Sequence, residues 1–341
     1  MMKREVNERI FVGLSGGVDS AVTAALLKES CKDVTGVFIK GWYPPGMPCT
    51  WAEDRRDAMR VAAHLQIPFV TLDASKEYKE NVIDYLIREY RDGRTPNPDI
   101  MCNRDVKFGA FHRFAKNKGG RIATGHYAKT ENGHLFRGTD ETKDQSYFLW
   151  SVSKDALIDS LFPLGNMRKE AVRKLAKRYG LPNALKKDSQ GICFLGSISV
   201  ENFLRSEMHP EEGRAIDEIG KEVGTHDGAV LYTLGERIAV KNAHPGPWYV
   251  VSKDLKANTI TVSHGHPKVQ SKKAIPLSHE NWFSETSGKI EAQYRYHGPR
   301  IRGTYADGVF TPIDPLPEPI ASGQSLVMYR TDECLGGGII T

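Results

Sequence analysis

The first half of this sequence alternates short apolar runs with stretches of helical periodicity, and this alternation restricts the fold more than any other feature. The candidate strands are residues 10–14, 34–39, 69–72 and 122–124. Between them, apolar residues recur three or four positions apart, as in Tyr78, Val82 and Leu86. Parallel strands need such helical crossovers, so we predict an N-terminal doubly wound α/β domain whose parallel sheet is covered on both faces.

The pattern changes after about residue 205, where short β-like runs separated by turn residues replace the helices. These runs are residues 228–233, 248–252, 259–263, 290–296 and 325–330. We interpret them as a small β-rich central domain followed by a C-terminal β-barrel-like domain. The predicted domains are residues 1–204, 205–270 and 271–341.

Composition and cysteine usage favour a cytoplasmic protein with no membrane partner. The five cysteines are an odd number, are spread over 341 residues and form no CxxC pair. This arrangement fits a reducing compartment and argues against both a disulfide framework and a structural zinc site. The first ten residues are charged, and no run approaches the roughly 18 apolar residues of a membrane span. The net charge of +5 is compatible with a polyanionic partner but does not by itself indicate one.

The strongest local motif follows the first candidate strand and opens the first candidate helix. It consists of Ser15, Gly16, Gly17, Val18, Asp19 and Ser20. Its glycines allow the backbone to approach an anion closely, and the helix start offers unpaired N–H groups and the positive end of the helix dipole. The motif is not a Walker A loop, because the lysine that contacts the β- and γ-phosphates is absent. The alternative is an ordinary glycine turn that caps a helix.

A second motif, residues 93–103, combines two prolines with a carboxylate and a thiol. The prolines predict a rigid, non-helical approach, with the next helix starting at Asp105. Asp99 and Cys102 are three residues apart, so any helical turn there would place them on one side. In that position Asp99 can act as a base toward a substrate. The alternative is a Pro-rich turn with a buried cysteine.

A third motif, residues 187–194, places Cys193 just after a glycine and between apolar residues. In isolation such a cysteine is a small core residue. Two thiols that face one site would instead permit persulfide chemistry, in which one thiol carries sulfur and the other resolves the intermediate by forming a disulfide. Both interpretations stay open on the residues alone.

The loop Ser-Gly-Gly-Val-Asp-Ser resembles the pyrophosphate loop of the ATP pyrophosphatase superfamily, whose members cleave ATP between its α- and β-phosphates and adenylate an acceptor. The chain as a whole closely resembles the tRNA-specific 2-thiouridylase family, also called tRNA-uridine 2-sulfurtransferases. The matching blocks are residues 13–20, 93–103, 123–127, 143–149, 188–194 and 334–340. Six blocks in one order are far more specific than any single block.

The resemblance implies an adenine-nucleotide α-hydrolase-like fold and a role for each matching residue. The ATP site would consist of Gly13, Leu14, Ser15, Gly16, Gly17, Val18, Asp19, Ser20, Ile39 and Gly125, with Mg²⁺ accompanying the phosphates. The tRNA would contact Asn97, Pro98, Asp99, Lys143, Asp144, Gln145, Arg295 and Tyr296. Cys102 aligns with the nucleophile and Cys193 with the persulfide carrier, while Asp99 would deprotonate the base. A sulfur-donor protein would be the second partner.

The residues leave some alternatives open. Arg295 and Tyr296 lie among basic residues interleaved with tyrosines, a pattern that suits phosphate contacts and stacking on RNA bases but equally an exposed β-hairpin. Among the histidines, His126 has the best functional position, because ligands of open α/β sheets gather at the carboxyl ends of strands. We predict ATP-dependent 2-thiolation of the wobble uridine of tRNA. The alternatives are another adenylating synthetase or amidotransferase, and a non-catalytic tRNA-binding protein.

Overall fold

The computed structural model describes residues 8–30, 32–44, 51–188, 199–244, 246–265 and 274–341. The strands of its N-terminal half are β1 (Arg9–Gly13), β2 (Asp33–Lys40), β3 (Phe69–Asp73), β4 (Arg121–Ala123), β5 (Ala128–Glu131), β6 (His134–Arg137) and β7 (Ser160–Leu161). The helices are α1 (Val18–Glu29), α2 (Trp51–His64), α3 (Ser75–Tyr78), α4 (Asp84–Arg91), α5 (Pro98–Met101), α6 (Phe111–Asn117), α7 (Lys154–Ile158), α8 (Lys169–Arg178) and α9 (Val200–Met208). The π-helical segments Lys79–Ile83 and Cys102–Ala110 join α3 to α4 and α5 to α6, and Ser146–Leu149 is a 3-10 helix.

Strands of the N-terminal half form one parallel sheet in the order β3-β2-β1-β4-β7. Neighbouring residues of β1 pack on opposite faces. Ile10 and Val12 join the core formed with α1, α2 and α8, whereas Phe11 joins the core formed with the helices of residues 75–117. Helices therefore cover both faces, and the predicted doubly wound α/β fold is confirmed.

The helix that contains Cys102 starts earlier than the sequence motif predicted. It begins at Pro98 and not at Asp105, so the prediction of a non-helical approach is wrong for the residues that follow Asn97. The Asn97 side chain caps the helix by accepting hydrogen bonds from the backbone N–H groups of Asp99, at 3.1 Å, and Ile100, at 3.4 Å. Pro98 occupies the first helical position, where its missing N–H costs nothing.

The strands of the central region are β8 (Gly213–Ile216), β9 (Glu222–His226), β10 (Arg237–Ile238), β11 (Trp248–Asp254) and β12 (Thr259–Ser263). They form a separate sheet in the order β10-β11-β12-β8-β9, with Trp248 and Ile260 in its small core. The predicted β-like run at residues 228–233 is wrong, because Ala229–Leu231 forms a 3-10 turn there. The backbone N–H of Ala229 donates to the Asn258 side chain at 2.9 Å instead of to a neighbouring strand.

The strands of the C-terminal region are β13 (Ile275–Trp282), β14 (Ile290–Gln293), β15 (Arg300–Ala306), β16 (Val309–Pro312), β17 (Ser325–Arg330) and β18 (Glu333–Ile340). They run in the order β13-β16-β15-β14-β17-β18, and antiparallel pairing of β13 with β18 closes the barrel. The predicted barrel-like fold is confirmed.

A hairpin from the N-terminal half extends the barrel sheet. Strands β5 and β6 form the hairpin, and β6 pairs with β18 so that Leu135 lies opposite Cys334 and Phe136 opposite Glu333. The sequence motifs did not predict this connection between the two regions. The predicted domain limits stay predictions, since α9 spans the proposed limit at residue 204 and residues 266–273 lie outside the described ranges. In the described ranges, no helix is both long and apolar enough to cross a membrane.

Candidate active site at the carboxyl edge of the parallel sheet

The phosphate-loop candidate joins the end of β1 to the start of α1. Gly17 is the N-cap residue of α1, and no described side chain caps this helix. The Ser20 hydroxyl donates to the Gly17 carbonyl at 3.1 Å and accepts from the Ser15 backbone N–H at 3.3 Å. These bonds close the loop on itself while leaving the first turn of α1 able to bind an anion.

The two glycines of the loop have different roles. Gly16 has a φ of +78°, and a Cβ added there would lie 2.7 Å from the Asp54 carbonyl oxygen, so the fold requires glycine. Gly17 has an ordinary φ of −83°, and among the described residues an added Cβ would meet only the Ser15 hydroxyl, at 3.3 Å. The space over Gly17 is therefore open to a ligand.

The other residues predicted for ATP binding lie at the same edge of the sheet. A Cβ added to Gly125 would lie 2.9 Å from the Ser20 nitrogen, so the segment after β4 packs directly on the first turn of α1. Gly13, the last residue of β1, pairs with Val37 of β2, and Ile39 lies two residues further along β2. Ile39, like Leu14 and Val18, is buried. The structure brings these residues together, and their contacts with ATP stay predictions.

A chain of ion pairs extends from the loop. The ammonium of Lys169 lies 2.8 Å from both carboxylate oxygens of Asp19 and 2.9 Å from Asp188. Asp188 also binds Lys143 at 3.1 Å and Arg173 at 2.6 Å. The sequence motifs included Asp19, Lys143 and Asp188 but missed Lys169, which lies 150 positions from Asp19 and outside every motif.

Burial and charge shift several pKa values in this region. Burial raises the pKa of Tyr127, and the adjacent Asp19 carboxylate, which accepts the Tyr127 hydroxyl at 2.9 Å, raises it further. Burial alone would raise the pKa of Asp188, but hydrogen bonds from Lys169 and Lys143 outweigh it and lower the pKa to about 2. Asp188 is therefore ionised at neutral pH and binds three cationic side chains.

The predicted nucleophile is buried. Cys102 has no exposed surface and packs in the core beneath the helices of residues 75–117. Asp99 lies one helical turn earlier, as the spacing predicted, and is partly exposed. The predicted persulfide carrier, Cys193, lies outside the described residues.

The residues of the 143–145 block differ sharply in environment. Lys143 is partly exposed and paired with Asp188. Asp144 is buried and accepts hydrogen bonds from the backbone N–H groups of Gly138, at 2.9 Å, and Ser146, at 3.1 Å. The Gln145 side-chain oxygen accepts from a backbone N–H at 3.0 Å. Asp144 thus holds its own loop and Gln145 ties that loop to the segment after β4, whereas the Lys143 side chain points its charge toward Asp188.

The barrel brings Tyr296 to the block of residues 143–149. The Tyr296 ring lies 4.5 Å from the Phe148 ring, measured between centroids. Arg295 is exposed and its guanidinium binds Glu318, which also accepts the buried Tyr294 hydroxyl at 2.7 Å. Since Tyr294 is buried, the tyrosines do not form one continuous stacking surface, and Tyr296 instead joins the barrel to this block.

His126 is buried after the end of β4, and its Nδ1 lies 2.8 Å from the Thr124 hydroxyl. Burial, and next the positive charge of Lys107, lower its pKa well below the ordinary histidine range. The imidazole is therefore neutral. In the described ranges, no group of three or more His, Cys, Asp or Glu side chains is arranged to hold a metal ion.

Family models match this chain in three consecutive parts. The tRNA methyl transferase HUP domain matches residues 8–197, the tRNA methyl transferase PRC-barrel domain matches residues 201–264, and the aminomethyltransferase beta-barrel domain matches residues 272–340. The first match alone covers more than half of the chain.

Curated relatives match over nearly the whole length. The chain is 42% identical to tRNA-specific 2-thiouridylase MnmA of Streptococcus agalactiae serotype III (strain NEM316), over 98% of this chain and 95% of the relative. It is 41% identical to the protein of the same name from Streptococcus uberis (strain ATCC BAA-854 / 0140J), over 97% and 95%. Among solved structures, a 4-thiouridine synthetase in complex with RNA and ATP is 18% identical, with a TM-score of 0.38 over 59% of this chain and 50% of that one. The last similarity is too low to place any residue.

Proposed function

This chain belongs to the tRNA-specific 2-thiouridylase family, and we propose that it thiolates the wobble uridine of tRNA in two stages at the carboxyl edge of its parallel sheet. It is an ATP-using enzyme that transfers sulfur to tRNA. The structural observation that carries the two-stage proposal is the loop before α1, with its open Gly17 and uncapped helix start.

In the first stage, the C2 oxygen of the uridine attacks the α-phosphate of ATP. The bond between the α-phosphorus and the bridging oxygen breaks, giving an adenylated base and pyrophosphate. Backbone N–H groups at the start of α1 stabilise the developing negative charge. Mg²⁺ would neutralise phosphate charge, and we expect it to arrive with the nucleotide, because Mg²⁺ is commonly held by substrate phosphates and one or two carboxylates. Asp19 is the carboxylate that the loop itself supplies.

In the second stage, Cys193 carries a persulfide received from a sulfur-donor protein. The terminal sulfur attacks C2 and AMP leaves. The Cys102 thiolate then attacks the Cys193 sulfur, which releases the thiolated base and leaves a Cys102–Cys193 disulfide. An external dithiol reductant would supply two electrons to restore both thiols. Release of hydrosulfide by attack of Cys102 on the persulfide, before sulfur reaches C2, gives the same products.

The burial of Cys102 adds a condition to this scheme. Because the Cys102 thiol has no exposed surface, we propose that its surroundings rearrange when tRNA binds, so that the thiol becomes accessible to the substrate. Asp99, one turn away and partly exposed, would accept the N3 proton of the flipped-out uridine. Asn97 and Pro98 would meet the same base at the helix start.

Lys143, Asp144 and Gln145, with Arg295 and Tyr296 of the barrel, would form the contact with the body of the tRNA. Lys143 and Arg295 supply positive charge for phosphates, and Tyr296 supplies a ring that can stack on a base. Asp144 and Gln145 would act through the loop that they hold in place. These residues belong to both the sheet region and the barrel, so tRNA would span both.

Transfer of labelled sulfur tests the roles of the two thiols. Cys193→Ser should accept no label from a low concentration of donor, because a hydroxyl cannot hold a persulfide. Cys102→Ser should accept label on Cys193 but lose most turnover. Cys334→Ser is the matched control, since Cys334 is equally buried and lies in β18 of the barrel. Label on Cys102 alone would reverse the assignment.

The same variants separate the alternative functions. An adenylating synthetase or amidotransferase would release pyrophosphate with an amine acceptor, and its activity would survive in the Cys102→Ser/Cys193→Ser double variant. A non-catalytic tRNA-binding protein would bind tRNA and release no pyrophosphate. Nucleoside analysis of tRNA incubated with ATP and a sulfide source should show 2-thiouridine only if the proposal is correct.

A further inference from the structure

The phosphate loop lacks a cation of its own, and the fold supplies one from elsewhere. Residues 14–20 include no lysine or arginine. Among the described ion pairs, the one that reaches this loop is made by Lys169 at the start of α8. Phosphate-transfer sites generally combine backbone N–H groups with a cationic side chain. Lys169 lies where such a side chain would be needed beside this loop.

The geometry of Lys169 suits a contact with an anion. Its side chain is only 14% exposed, so its charge is poorly screened by solvent. Its three N–H bonds are used by the two oxygens of Asp19 and one of Asp188. The backbone N–H of Lys169 donates to Asp140 at 2.8 Å, which anchors the helix start.

The charge of Asp19 gives such a cation a second role. Asp19 lies in the first turn of α1, two residues after Gly17, and its carboxylate would repel the phosphates of a nucleotide at the loop. Lys169 both neutralises this carboxylate and can turn one N–H toward the phosphates. As the bond to the leaving group breaks, negative charge grows on the pyrophosphate, and a nearby ammonium stabilises that charge.

We propose that Lys169 contacts the pyrophosphate portion of ATP and stabilises it as it leaves the α-phosphate. This inference rests on the proposed adenylation and deepens it by naming a further catalytic residue. Arg173 offers a matched comparison, because it binds the same Asp188 oxygen at 2.6 Å and lies one turn further along α8. In the described ion pairs, Arg173 makes none with the loop.

The test measures the binding of pyrophosphate and of AMP by calorimetry in the full chain with Mg²⁺. Lys169→Gln should weaken pyrophosphate binding by about 10- to 100-fold, the effect of losing a hydrogen bond to a charged group, and leave AMP binding unchanged. The kcat of pyrophosphate release should fall by about 10²- to 10³-fold. Lys169→Arg should recover part of both, and Arg173→Gln should leave pyrophosphate binding unchanged.

Equal pyrophosphate affinity in wild type and a folded Lys169→Gln variant would overturn the inference. So would parallel losses of pyrophosphate and AMP binding, or an equal loss in Arg173→Gln, since either would indicate a structural ion-pair network. A wild-type chain that binds neither ATP nor pyrophosphate would instead refute the proposed function.

A second measurement on the unchanged chain covers the case in which Lys169→Gln does not fold. Reductive methylation of Lys169, followed by mass spectrometry, should be slowed by pyrophosphate and not by AMP. Equal methylation with the two ligands would contradict the contact.

Discussion

Asp144 and Ser146 are joined by two hydrogen bonds: one carboxylate oxygen accepts the Ser146 backbone N–H at 3.1 Å, and the other accepts the Ser146 hydroxyl at 3.0 Å. The same carboxylate accepts the Gly138 backbone N–H at 2.9 Å and an N–H of Arg137 at 3.3 Å. The Ser146 hydroxyl in turn lies 3.2 Å from the Tyr329 hydroxyl of the barrel. Asp144 therefore holds the junction between the sheet and the barrel.

Substitution of Asp144 should lower the stability of the fold, and any loss of tRNA binding should follow from that loss of stability. Asp144→Ala leaves several buried donors without an acceptor, so the free energy of unfolding should fall by about 3 kcal/mol. Urea denaturation followed by circular dichroism measures this change. An Asp144→Ala variant as stable as wild type, with reduced tRNA affinity, would instead indicate a direct contact with tRNA.

Lys143, the preceding residue, should show the opposite behaviour. Its ion pair with Asp188 is partly exposed, so Lys143→Ala should change the free energy of unfolding by less than about 1 kcal/mol. It should weaken binding of every accepted tRNA alike and reduce the slope of log affinity against log salt by about 1. Filter binding over a range of salt concentrations measures the slope. Lys118→Ala is the control, because this exposed lysine precedes β4 at the opposite edge of the sheet. An equal loss of tRNA affinity in Lys118→Ala would contradict a specific contact between Lys143 and tRNA.

The two loop glycines should respond differently to a side chain. Gly17→Val should fold, because in the described part of the chain its Cβ meets only the Ser15 hydroxyl. It should lose pyrophosphate release by at least about 10²-fold, because the Val side chain blocks the anion. Gly16→Val should lose stability by about 1–3 kcal/mol from backbone strain alone, with the contact to Asp54 adding to the loss. Thermal unfolding and a coupled pyrophosphate assay separate the two effects. Undiminished pyrophosphate release in folded Gly17→Val would refute the nucleotide assignment.

The reactivity of Cys102 should depend on substrate. Cys102 and Cys334 are both fully buried, and burial raises the pKa of Cys334 to about 12. In the chain without tRNA, iodoacetamide should alkylate both slowly. Addition of tRNA with a non-hydrolysable ATP analogue should accelerate alkylation of Cys102 and leave Cys334 unchanged, as read by peptide mass spectrometry. Acceleration at both cysteines would indicate general loosening of the fold, and acceleration at neither would remove Cys102 from the reaction.

A largely buried lysine in the central sheet predicts a pH dependence of stability. Burial lowers the pKa of Lys253 to about 8, against the smaller opposing effect of Glu236, while its ammonium donates to the Tyr232 carbonyl at 2.8 Å. The Lys253 amine binds its proton more tightly in the unfolded chain than in the folded one. The contribution of Lys253 to the free energy of unfolding therefore rises as the pH increases from about 8 toward 10.5.

Lys253→Met should remove this rise, which is on the order of 3 kcal/mol. The free energy of unfolding of the Lys253→Met variant, relative to that of wild type, should therefore decrease between pH 8 and pH 10.5. Urea denaturation at fixed ionic strength measures this change. Lys256→Met, at an exposed position beyond the end of β11, controls for the loss of a lysine. Parallel stability curves for wild type and Lys253→Met would contradict the lowered pKa.

Some features that the sequence analysis missed had local signals. Asn97, Pro98 and Asp99 form an N-cap, a first-turn proline and an acidic first turn, which together predict a helix start at Pro98. Proline breaks helices at positions beyond the first turn, and this general tendency led to the wrong prediction that the helix starts at Asp105. Asn132 and Gly133, both with positive φ, form the tight turn between β5 and β6, and this dipeptide is typical of a hairpin.

By itself, the sequence determined the parallel sheet, the position of the phosphate loop after β1, a barrel-like C-terminal domain and two of its strands, because each depends on residue periodicity or on a turn within a few residues. Only the tertiary structure decided that Lys169 lies beside Asp19, that Asp144 is buried under the barrel and that Tyr296 packs on Phe148. These contacts join residues far apart in the chain, and their partners are selected by how the sheet, the hairpin and the barrel pack together. A carboxylate in the sequence looks the same whether it will face solvent, a ligand or a buried backbone N–H, and its environment exists only after those layers have come together.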